Sequence, residues 1–142
     1  MKNKPKNQPR YQPGICECSQ MNINTYYHCS FRYPKFLISE EAFDWAKSRS
    51  CIWLLEKIAI LQTYPIIKRN PELPDLQIWI VEFDENRLAT LRCEGEKSRV
   101  VYQDKIERTE SLPDRVTFYC YPALIGEDID GPHHILLFPS EY

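Results

Sequence analysis

The run Ser50 to Gln62, SCIWLLEKIAILQ, is the most hydrophobic stretch of the chain and the strongest constraint on what it can fold into. Ser50 is placed to accept a hydrogen bond from the free N–H groups of a first helical turn. Pro65 has no N–H with which to continue a helix, so the segment is bounded at both ends. Cys51, Ile52, Leu54, Leu55, Ile58, Ala59 and Leu61 cover two adjoining faces and leave Glu56, Lys57 and Gln62 on a narrow polar strip. That is broader than an ordinary amphipathic stripe and predicts a helix buried on most of its circumference. The run is too short to span a bilayer, and Glu56-Lys57 interrupts it, so it reads as a core helix.

Upstream, Ser39 followed by Glu40-Glu41 marks a helix start, with acids near the positive end of the dipole. A short helix through Lys47 is expected, packed beside the longer one by Phe43 and Ala46 or continuous with it through a kink. Downstream, Pro65, Pro71 and Pro74 make the segment after the helix a connection rather than an element. Strands follow. Leu76–Phe83 is apolar on both faces, as in an interior strand, and Arg87–Glu94 alternates with Ala89, Leu91 and Cys93 on one side. Glu94–Lys97 reads as a hairpin turn with Gly95 available for positive φ, leading into Arg99–Ile106; Val116–Tyr121 and Ile135–Phe138 are a fourth and a fifth strand. The fold class is therefore α+β, with one or two N-terminal helices packed on a four- to five-stranded antiparallel sheet. Trp53 is expected to face the strand that carries Trp79, both as core residues.

At 142 residues the chain is long enough for one domain that buries roughly two thirds of its unfolded surface. Its division is an arm, residues 1–35, basic, cysteine-containing and partly irregular, and an α+β domain, residues 36–142. The formal charge of -2 hides an asymmetry: Lys2, Lys4, Lys6, Arg10, Arg32 and Lys35 face only Glu17 within residues 1–36, so the body is acidic. The first thirty residues contain no apolar run of the length a signal core needs, which reads as a cytoplasmic protein with no membrane association.

Among the 6 cysteines, Cys51, Cys93 and Cys120 fall inside apolar patterns and read as small core residues. Cys16, Cys18, His28 and Cys29 have a composition that zinc favours. Their spacing argues against it, because Cys-x-Cys is tighter than the usual gap and His28-Cys29 are adjacent. They are kept as a candidate metal set, and no cofactor is assigned.

From about Phe36 to Tyr142 the chain resembles the uncharacterised bacterial family catalogued as domain of unknown function six-eight-seven-six. The residues that carry the likeness are Ile52–Ala59 with Gln62, Leu76–Trp79, Thr90–Glu94, Val100–Tyr102 and the ending Ile135-Leu-Leu-Phe-Pro-Ser-Glu-Tyr142. The resemblance implies an α+β fold with a helix ahead of an antiparallel sheet and brings no assigned activity. The Pro122–His134 segment and the cysteine-bearing N-terminal region depart from the family pattern.

Function reads most readily as non-enzymatic binding of a macromolecule, a protein partner first, through the acidic body and the Pro122–His134 loop with Asp128, Asp130, His133 and His134. An interaction or inhibitor protein of a mobile element or phage, acting against host defence, would have this size and character. Two alternatives stand beside it. One is nucleic-acid contact through Lys2, Lys4, Lys6 and Arg10 with an aromatic sheet face of Tyr102, Tyr119 and Tyr121. The other is a hydrolase using His133, His134 and Asp130. No nucleophile elbow, phosphate loop or HExxH pattern occurs in the sequence. The terminal Pro139–Tyr142 motif is expected to end the last strand and fold back over the core.

Overall fold

The structure, a computed structural model, describes residues 15–17, 25–28, 33, 35–83, 88–107, 114–123 and 133–142. Eight strands form one sheet in the order β1-β2-β3-β8-β7-β4-β5-β6. They are β1 Ile15–Glu17, β2 Thr25–His28, β3 Phe36–Ser39, β4 Gln77–Phe83, β5 Leu88–Glu94, β6 Val100–Glu107, β7 Arg115–Ala123 and β8 His133–Leu137. Three helices lie between β3 and β4: α1 Glu40–Ser48, α2 Ile52–Leu61 and α3 Pro65–Lys68.

The α+β class holds, and the strands expected from Leu76 onward are present. Two features differ from the expected four- to five-stranded antiparallel sheet behind leading helices. Strands β1, β2 and β3 come before the helices, and β3 pairs with β8 in parallel, in register Leu37↔Ile135, so the sheet is mixed. Strands β1 and β2 are drawn from the segment that reads as irregular. Their sequences, ICE and TYYH, are too short to announce a strand by alternation, and only pairing, of β2 with β3 and of β1 with β2, reveals them.

The junction between α1 and α2 is also built differently. Ser39 caps α1, its hydroxyl accepting from the Ala42 N–H at 3.2 Å. Ser50 does not cap α2. It sits at φ 54, in the left-handed region, and ends α1 instead. The Ser50 N–H donates to Lys47 O at 3.2 Å and the Cys51 N–H to Ala46 O at 2.9 Å, the pair of bonds that defines a Schellman motif. Cys51 then takes the N-cap place of α2 without a side-chain bond. Pro65 does not merely stop α2; it opens α3, where its missing N–H costs nothing.

No residue of α2 is exposed, as its apolar breadth requires; Leu54, Leu55, Ile58, Ala59 and Leu61 are buried. They pack with Trp79 and Val81 of β4, Leu91 and Cys93 of β5, and Phe118 and Cys120 of β7 in the main core. A smaller cluster of Tyr26, Leu37, Ile135 and Leu137 occupies the opposite face of the sheet. Gly95 is needed for close approach rather than for positive φ: a Cβ there would stand 2.6 Å from Glu72 O. The positive φ in that hairpin falls on Ser98, at 63°.

The two tryptophans have different surroundings. Trp79 is fully buried, and its indole N–H donates to Gln77 Oε1 at 2.8 Å. Trp53 is only half-buried at the edge of the core, which corrects its reading as an equal core partner of Trp79. Cys51, Cys93 and Cys120 are buried free thiols, as their apolar contexts indicate. Burial pushes the Cys51 thiol up to about 11 and the Cys93 thiol up to about 12, so both stay protonated and inert.

Candidate functional site

Among the residues singled out from sequence, Lys2, Lys4, Lys6, Arg10, Cys18, Cys29, Asp128 and Asp130 lie outside the described residues, as does most of the Pro122–His134 loop. Cys16 is placed by its backbone in β1, opposite Tyr26. His133 and His134 are not loop residues. They are the half-buried first two positions of β8, so their side chains leave the sheet on opposite faces.

His133 shares its face with Leu37, Ile135 and His28 of β2, because His28 pairs with Leu37 and Leu37 with Ile135. Desolvation lowers the pKa of His28, and the charge of His133 lowers it further. His134, on the helix side beside Phe36, is lowered by the same two causes in the same order. The sequence offered no sign of this grouping, since His28 and His133 are distant in the chain. Only the parallel β3–β8 pairing brings them close.

The three tyrosines do not share a face. Tyr102 lies on the helix side, its ring 6.1 Å from that of Trp79. Tyr119 and Tyr121 lie on the other side, where Tyr142 meets both edge-on at 5.3 and 5.2 Å. Burial pushes the Tyr121 hydroxyl up to about 12. Further along that face the Glu82 carboxylate joins Arg92 and Arg115, and Arg92 also bonds Glu94 at 2.8 Å. The Arg92 hydrogen bond chiefly holds Glu82 below the usual carboxylate range.

Two concavities flank α2, and they share no residue. The first is an open groove of about 370 Å³ between the outer stripe of α2 and strand β6. Trp53, Glu56, Lys57, Ile60 and Tyr64 reach it because they recur at helical spacing along and just beyond α2. Tyr102 and Asp104 complete it from β6. Lys57 pairs with Asp104 at 3.4 Å, and the Tyr102 hydroxyl donates to Asp104 at 3.2 Å. The Asp104 carboxyl lies below its ordinary value, first because the Lys105 backbone N–H donates to it. Tyr64 is 48% exposed.

The second is a cavity of about 670 Å³ where α2 and α3 meet the ends of β3, β4, β7 and β8. Lys35, Lys68, Arg69 and His134 border it, and Phe36, Ile67 and Leu73 form its floor. Gln62 and Gln77 line it as a reciprocal amide pair, with bonds of 2.8 and 2.9 Å. Neither concavity is announced by a motif. The Trp53-to-Tyr64 spacing was the one available signal, and the apolar breadth of the same helix masked it.

A single mixed sheet with its helices on one face defines a small α+β domain, and among the described residues no helix is long and apolar enough to cross a membrane. The chain belongs to the family of unknown function DUF6876, which matches residues 18–142. That match begins upstream of the expected limit at residue 36 and takes in β2. No curated protein and no solved structure matches the chain.

Proposed function

We propose that this protein is a non-enzymatic binding protein that engages another macromolecule, in the first instance a protein, through the groove between α2 and β6. The observation that carries this reading is the placing of Trp53, Tyr64 and Tyr102 around one open groove. Aromatic side chains with a polar tip supply much contact area at low entropic cost, and they are the residue types enriched at the centres of interfaces. Glu56, Lys57 and Asp104 provide a polar rim.

Strand β6 adds a second support. It ends the sheet order, so among the described residues its outer edge has no strand partner. Gln103, Asp104 and Lys105 are exposed along it, which discourages indiscriminate strand pairing and leaves selection to the aromatic groove. An inhibitor of host defence carried by a mobile element or phage is one form of this reading, with the host factor as occupant.

The test is affinity capture from the native host, with captured proteins identified and then titrated in purified form. Tyr64→Ala and Tyr102→Ala should each weaken the purified interaction by about tenfold or more, the loss expected for a residue near an interface centre. An undiminished affinity in both variants refutes the groove as the interface. Retention of nucleic acid that falls steeply with salt and disappears when residues 1–14 are deleted would favour the nucleic-acid alternative instead.

A further inference from the structure

We propose that the cavity beneath α2 and α3 is a separate binding site for a small organic anion, a molecule with one acidic head group on an apolar body. Its volume, about 670 Å³, lies within the range of sites that enclose drug-sized ligands. The electrostatics set the sign of the ligand. Lys35, Lys68 and Arg69 border the cavity, and among the described residues that line it there is no aspartate or glutamate, although the chain as a whole carries a net charge of -2. Among the described residues, Lys68 and Arg69 form no ion pair, whereas the cations of the opposite sheet face, Arg92 and Arg115, are held by Glu82.

The apolar body follows from the floor. Phe36, Ile67 and Leu73 are each buried to within 3% of full coverage and offer no hydrogen-bonding group from their side chains. The two glutamine amides in its wall are already engaged, because Gln62 and Gln77 bond each other and Gln77 also accepts from Trp79. An uncharged polar ligand would have to break that amide pair to bond to it. A ligand with its charge at the Lys68–Arg69 rim and its carbon skeleton on the floor meets both demands, with Arg69 suited to fork onto a carboxylate, sulfonate or phosphate. The site is independent of the α2–β6 groove, since α2 separates the two.

The experiment uses the full chain and two fluorescent probes of one skeleton, 8-anilinonaphthalene-1-sulfonate and its neutral parent N-phenyl-1-naphthylamine. The sulfonate should bind at one equivalent and at least about tenfold more tightly than the neutral probe, and Lys68→Glu/Arg69→Glu should remove that preference while leaving binding of the neutral probe unchanged. Both side chains are exposed, so the variant should fold, and an unchanged thermal midpoint checks this. Leu73→Trp, which fills the floor, should weaken both probes. Tyr64→Ala, which alters only the other groove, should bind both as the parent does, so failure here and failure of the proposed interface are read separately.

Competition identifies the head group's carrier: displacement by decanoate assigns an acyl carboxylate and displacement by adenosine monophosphate assigns a nucleotide, either supporting an organic anion. Equal affinity for the two probes, no effect of the charge reversal, or displacement by inorganic phosphate or a thymidine oligonucleotide as strong as by either organic anion overturns the proposal.

Discussion

The Ser39 hydroxyl donates a 2.8 Å hydrogen bond to Glu141 Oε1 across 102 positions of sequence, joining the N-cap of α1 to the last turn of the chain. The same carboxylate oxygen accepts from the Phe138 N–H at 2.9 Å, and the same hydroxyl accepts from the Ala42 N–H. The terminal Pro-Ser-Glu-Tyr motif is therefore a latch. Pro139 turns the chain out of β8 into a short 3-10 helix, Glu141 reaches back to α1, and Tyr142 lies over Tyr119 and Tyr121. Ser39→Ala and Glu141→Ala should each cost about 1–2 kcal/mol, the range for a lost cap and a charge-assisted bond. Because they share one bond, urea denaturation of the double variant should show less than the sum. Full additivity would remove the latch.

Trp79 and Trp53 should separate in a stability measurement. Trp79→Ala opens a cavity in the buried core and removes one of the two donors to Gln77 Oε1, at a cost of about 3–5 kcal/mol. Trp53→Ala removes a half-buried ring at the groove and should cost well under half as much. Gln77→Leu tests the polar part: it leaves the Trp79 indole N–H without its acceptor, and a loss of about 1–3 kcal/mol is expected despite the added apolar surface. Equal melting losses for the two tryptophan variants would contradict this division.

The regions where sequence and structure agree are those in which a local pattern and a burial demand coincide. Leu76–Phe83 and Arg87–Glu94 read as strands because hydrophobic spacing and hairpin residues point the same way, and β4 and β5 fall there. Ser39 with Glu40 and Glu41 announced α1 by cap and dipole chemistry. The misses share a cause. Strands β1 and β2 exist only through partners, the parallel β3–β8 contact joins residues about two thirds of the chain apart, and neither leaves a periodic trace. Ser50 had the composition of an N-cap, but a residue one place before Cys51 serves the helix that is ending. The candidate sites were the least legible part, because the cation-bordered cavity draws Lys35 from the turn before β3, Lys68 from α3 and His134 from β8, which only the fold assembles.

Ser50 supplies a prediction of its own. A non-glycine residue at φ 54 carries a steric penalty of roughly 1–2 kcal/mol that glycine escapes, offset in part by glycine's larger entropy in the unfolded chain. Ser50→Gly should therefore stabilise the protein by about 0.5–1 kcal/mol. If Ser50 capped α2 through its side chain, the same change would destabilise, so the sign of the shift in denaturation midpoint distinguishes the two roles.

Acid sensitivity should come from the histidines before the carboxylates. His28 and His134 both have folded-state pKa values below the ordinary 6.5, through desolvation first and the charge of His133 second. A lowered value means that the unfolded chain binds these protons more readily. Their contribution is fully present above 6.5 and declines as pH falls from there through the folded-state values. Glu82 and Asp104 are held below the usual carboxylate range and stay ionised across that window. Thermal midpoints should thus fall steadily between pH 7.5 and about 5, a window fixed by the unperturbed histidine value. The His28→Gln/His134→Gln variant should show a shallower slope over the same range. A midpoint that is flat from 7.5 to 5 in the parent, or a slope unaltered in the variant, would mean that these two imidazoles are solvated in the folded chain and that β2 does not pack against the β3–β8 pair as described.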